Sequence, residues 1–171
     1  MIRFALIWVL MAGHALAQEA EPPMTYERLG KIIFALDPDA EPQGPGFTMT
    51  ISDVPVLVVT DVHADRMRAM VAISGTSELS AEDLQRMMQA NFDSTLDARY
   101  AIANGTLWAV FIHPLSRLNK DQLISGLAQT VNIALTYGTL YSGGAAEFGG
   151  GDSHDLQREL IDDLLKKGED I

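Results

Sequence analysis

The side chains best suited to chemistry sit in two short clusters. Asp61, His63 and Asp65 alternate within one turn and offer two carboxylates and an imidazole, the donor types of a divalent metal site or of acid–base work. Asp152, His154 and Asp155 repeat those types ahead of the last helical pattern. In both places a simpler chemistry outweighs a ligand set. Aspartate in a turn bonds its own backbone, and one short turn rarely supplies convergent ligands. Acidic residues ahead of a helix meet its positive end. His113 precedes Pro114 at a strand end, where a half-buried imidazole is ordinary. The chain holds no G-x-S-x-G elbow, H-E-x-x-H pair, phosphate loop or G-x-G-x-x-G turn. Without cysteine it has no thiolate ligand, thiol nucleophile or disulfide. The expectation is a non-enzymatic protein with no cofactor and no metal. The alternative is an exported metal-binding protein or enzyme using Asp61, His63 and Asp65.

Composition bounds the class of the protein without assigning it a role. The 171 residues are 47% hydrophobic and 20% charged, enough for one domain with a real core. A net charge of −11 speaks against nucleic acid and anionic membrane surfaces, which select basic patches. Of eight methionines, Met67, Met70, Met87 and Met88 fall near one strand pattern and the helix after it. Methionine serves adaptable binding surfaces, but more often it fills core gaps.

The first residues look like an address. Arg3 precedes an apolar run from Phe4 to Ala12, and Ala15-Leu16-Ala17 is a small-x-small site. This is the layout of a signal peptide over residues 1–17, cleaved between Ala17 and Gln18. The run is too short for a stable membrane anchor, which needs about 20 apolar residues. The expected location is periplasmic or secreted, with residues 18–23 as a short acidic leader.

The elements that must position everything else follow. Thr25 caps a helix whose Leu29, Ile32, Ile33 and Leu36 keep helical spacing, and Asp37-Pro38 stops it. "DAEPQGPG" predicts a loop. Phe47, Met49 and Ile51 alternate with polar residues as a half-wet strand. Val54 to Val62 is almost continuously apolar, predicting a central strand covered on both faces. Arg66 to Ile73 is a third strand. Ser80 to Asp83 forms a capping box for a helix with Leu84, Met87, Met88 and Asn91 on one face. Strands over Ala98–Ala103 and Thr106–His113 flank Asn104-Gly105, a hairpin signal that also explains the apparent glycosylation sequon. Trp108 and Phe111 point to opposite faces, so one is expected under a helix and the other under a partner or the C-terminal helix. Asn119, with Gln122, caps the longest helix, buried through Leu123, Leu127, Val131, Ala134 and Leu135. A glycine-rich hinge spans residues 143–151. Residues 152–171 then carry an amphipathic helix with Leu156, Leu160, Leu164 and Leu165 on its apolar side. Those leucines need cover, and the hinge allows the helix to act as a removable lid over a client surface. The fold class expected is α+β, a five-stranded antiparallel sheet with helices on one side, in the order α-β-β-β-α-β-β-α plus a C-terminal helix.

The run "ELSAEDLQRMMQANFDSTLDARYAIANGTLWAVFIHPLSRLNKDQL" from Glu78 to Leu123 resembles the CesT-type (Tir chaperone) family of type III secretion chaperones. The matching pattern is a capped helix ending at Met88-x-Ala-Asn91, a hairpin, the segment His113-Pro114-Leu115 and a closing helix. The resemblance covers roughly residues 24–142 as one domain, and the YbjN-like regulatory or structural proteins fit nearly as well. It implies a non-catalytic homodimer that holds an extended segment of a client protein. It places Leu84, Met87 and Met88 at a dimer or partner surface. The family works in the cytoplasm, so against an export leader the resemblance carries fold and binding style rather than the secretion role.

Overall fold

The computed structural model describes residues 21–93, 95–137 and 153–169. Helix α1 (Tyr26–Leu36) leads into strands β1 (Glu41–Gln43), β2 (Gly46–Ile51), β3 (Val54–Asp61) and β4 (Arg66–Gly75). A single 3-10 turn at Thr76–Glu78 precedes α2 (Ala81–Asp93), then β5 (Arg99–Ala103), β6 (Thr106–His113), α3 (Lys120–Thr136) and α4 (Ser153–Lys167).

The caps explain why the helices begin where they do. Thr25 accepts from the Arg28 backbone N–H at 3.2 Å. Ser80 and Asp83 bond each other reciprocally. Asn119 and Gln122 close a full capping box. Each satisfies amides that a helix start leaves without partners. Asn104 and Gly105 take the positive φ values, 51° and 75°, that a tight hairpin turn demands.

The sheet has six strands, not the five expected, in the order β1-β2-β3-β4-β6-β5, all antiparallel. The extra strand lies inside the segment predicted to be a loop, where Glu41 to Gln43 pair with Thr48 to Gly46. Pro42 is tolerated because β1 is an edge strand, paired on one side only. Gly44, at φ 55°, makes the turn into β2. The broader α+β expectation, with helices on one side, agrees with this architecture.

Side chains alternate along each strand, so every strand divides its residues between two faces. Phe47, Val58, Ala69 and Phe111 stand side by side across β2, β3, β4 and β6. This is the helix-covered face, and all four are buried. Tyr26 stacks on Phe47 at 5.0 Å between ring centroids. Helix α3 approaches closely because Gly126 faces Phe111, where a β-carbon would come within 2.5 Å of the ring. Helix α4 lies on the far side of α3, giving three layers there. Leu160 and Leu164 are buried, and the Lys120 ammonium donates to the Gly168 carbonyl at 2.7 Å.

The other face of the sheet has no described helix on it. β3 was expected to be covered on both faces, but its burial alternates, with Leu57 and Val59 half-exposed. An apolar run cannot by itself distinguish a strand covered twice from one whose second face is left open.

Candidate functional site

An uncovered apolar row lies at the β5 edge of the sheet. Helix α2 crosses this edge and presents two sides. One carries Met87 and Ala90 into the core. The other carries Leu84, Met88 and Phe92, four residues apart and therefore in one row. Met88 is 67% exposed and Phe92 87%. Ile102 on β5 is 51% exposed, and Leu96 in the connection is also exposed. Between helix and strand runs a groove of about 220 Å³ lined by Leu84, Met87, Met88, Tyr100, Ile102 and Leu107. Glu82, Gln85, Arg86 and Gln89 lie along the helix beside it, and Arg86 pairs with Glu82.

Of the residues expected here, Leu84 and Met88 are on the surface, while Met87, only 3% exposed, forms the groove floor. Phe92 and Ile102 were not singled out from sequence. Phe92 continues the spacing of Leu84 and Met88, and that periodicity was the available signal. Polar bonds hold the site in shape. The buried amide of Gln129 on α3 accepts from the backbone N–H groups of Asp97 and Ala98 at 2.7 and 3.1 Å, fixing the start of β5. Asn91 ties α2 to Tyr100 of β5 through both side-chain atoms.

The Asp61–His63–Asp65 turn is used differently. Asp61 accepts from the Ala64 N–H at 2.9 Å, a bond local to the turn. Asp65, at φ 51°, turns away to hold the segment after β6. Its carboxylate accepts from the Ser116 N–H at 2.7 Å and the Ser116 hydroxyl at 2.9 Å. Those bonds, the backbone one foremost, hold the Asp65 carboxyl below its usual range. His63 is exposed. Among the described residues no three His, Asp or Glu side chains come together as a metal site.

The four leucines of α4 divide into Leu160 and Leu164, buried, and Leu156 and Leu165, half-buried against the core. The helix rests chiefly on α3 and more lightly on α1. The cleavage residues Ala15, Ala17 and Gln18, the hinge at 143–151, and Asp152 lie outside the described residues, as does the side chain of His154. No described helix is long and apolar enough to cross a membrane.

No protein-family description matches the chain, and no curated protein does. Among solved structures it is similar to the Yersinia pestis type III secretion chaperone SycH in complex with a stable fragment of YscM2. The identity is 16% and the TM-score 0.48, over 63% of this chain and 98% of that one. It is also similar to the ExsC–ExsE complex, at 14% identity and TM-score 0.44, over 55% and 74% of the two chains. The periplasmic or secreted location expected from the first residues stands against this likeness to secretion chaperones and is not carried further.

Proposed function

We propose that this chain is a non-catalytic protein-binding module that works as a homodimer through α2 and holds an extended segment of a partner protein. The observation that carries this reading is the row Leu84, Met88 and Phe92, continued by Ile102, which no described element covers. Large apolar side chains clustered on a surface mark a contact site, whereas single ones need no explanation. A stable dimer buries well over ~1,000 Å², apolar at the centre and polar at the rim. The row and groove supply such a centre, and Glu82, Gln85, Arg86 and Gln89 supply a rim. Two copies of α2 about a twofold axis set each row against its own counterpart. The resemblance between Glu78 and Leu123 favours the same helix for the contact and a client segment as the cargo.

The test is light scattering at tens of micromolar on the full chain and on Met88→Asp/Phe92→Asp. The reading expects a dimer that the double variant converts to a folded monomer. A wild-type monomer, or a dimer the variant leaves intact, overturns it.

A further inference from the structure

We infer that the open face of the sheet, around Arg68, docks an acidic amphipathic helix of a partner protein. This deepens the binding-module reading, uses a different surface from α2, and names the chemistry of what binds there.

The argument begins with the strands. On the face away from the helices, Leu57, Met70 and Val110 form one row and Val59, Arg68 and Ile112 the next. Trp108 lies on the same face, level with Ala72 and Ala101. A sheet face left to solvent normally alternates to polar residues, but here β3, β4 and β6 place Leu57, Val59, Met70, Trp108, Val110 and Ile112 on it. Ile112 is 54% exposed. A groove of about 390 Å³ runs between Val59, Asp61, Arg66, Arg68, Met70 and Ile112.

Charge selects the occupant. The chain carries −11 overall, yet on the β4–β6–β5 half of this face every charged residue is an arginine: Arg66, Arg68 and Arg99. Arg99 is engaged, donating to the carbonyls of Leu96 and Ala98. Arg66 donates to the Asp65 carbonyl. Arg68 stands between Val59 and Ile112 and has no hydrogen bond or ion pair among the described residues. A carboxylate beside an apolar anchor complements that setting.

Backbone chemistry selects the shape. The strands already bond one another in the plane of the sheet, so the face offers no backbone partners. An extended segment laid on it would leave its own N–H and C=O groups facing apolar side chains. A helix brings its backbone already satisfied and is the usual cover for a sheet face.

The experiment uses the full chain with Trp8→Phe, which leaves Trp108 as its only tryptophan. It is titrated with a synthetic amphipathic peptide of about four turns, bearing leucines on one side and glutamates along both borders. The expected result is a blue shift of Trp108 emission. Affinity should drop about tenfold when the glutamates become glutamines, and again in Arg66→Glu/Arg68→Glu. Met88→Asp/Phe92→Asp should bind as the parent does, separating this surface from the dimer contact. An unchanged Trp108 spectrum, equal affinity for the glutamine peptide, or loss of binding only in the α2 variant overturns the inference.

Discussion

Helices α2 and α3 pack against the same face of one sheet, and their apolar residues end up in different surroundings. α3 lies between the sheet and α4, and its turns from Leu123 to Ile133 are almost wholly buried, polar Gln129, Thr130 and Asn132 included. α2 lies at the β5 edge with nothing described above it, so Met87 and Ala90 are buried while Leu84, Met88 and Phe92 are not. A helix uses as many apolar positions as it has neighbours. α3 has two layers of neighbours, α2 has one, and the apolar row left over on α2 is where a further chain belongs.

The comparison can be broken most sharply at the α3–sheet contact. Gly126→Leu forces side-chain atoms into the Phe111 ring, and overpacking of this kind should lower stability by about 3 kcal/mol, read from the urea midpoint. Removing residues 152–171 should have the next largest effect, because it leaves α3 with an uncovered side as α2 has. Burial of Leu160 and Leu164 stabilises by ~1.5–3 kcal/mol each before the ordering of the helix is subtracted. The expected outcome is a folded domain of lower melting temperature that binds hydrophobic dye more strongly. Unfolding of the truncated chain would mean that α4 belongs to the core and is not a lid.

A smaller effect is expected away from both helices, at Asp65. The hydrogen bonds from Ser116 hold its carboxyl below the usual carboxylate range in the folded chain. The stabilisation is therefore fully present above the unfolded value and fades as pH falls through the folded one. Asp65→Asn keeps a residue that tolerates positive φ. It should be less stable than the parent at neutral pH, and the gap should close in acid below the usual carboxylate range, as followed by melting curves from pH 7 to pH 2. A gap that is constant with pH would mean that the charge does not matter. The smallest effect on the stability of the protomer should come from Met88→Asp/Phe92→Asp, within about 0.5 kcal/mol in a thermal melt run dilute enough that the parent is monomeric too, since neither side chain is buried in the protomer.

Much of this arrangement was legible from local signals. The caps at Thr25, Ser80 and Asn119 and the Asn104-Gly105 turn act within a few residues, and each predicted strand lies within a residue or two of where it forms. β1 was not legible, because Pro42 and Gly44 argue for a loop and only pairing with β2 makes Glu41 to Gln43 a strand. The faces were legible only in part. Spacing put Trp108 and Phe111 on opposite sides of β6, but which side receives α3 depends on Gly126, fifteen residues beyond Phe111. For the candidate site, helical spacing groups Leu84 with Met88 and extends to Phe92. Whether Met87 or Met88 faces outward is set by where the β5 edge ends, which is long-range information.

The central claim is that α2 meets its own counterpart in a second copy, and the absence of cysteine permits a direct measurement. Met88→Cys and Ile112→Cys each introduce a single thiol, one on the α2 row and one on the open sheet face. Mild oxidation at tens of micromolar protein, followed by non-reducing electrophoresis, should give a covalent dimer from Met88→Cys and monomer from Ile112→Cys. Monomer from both variants, or equal cross-linking of both, would contradict the account.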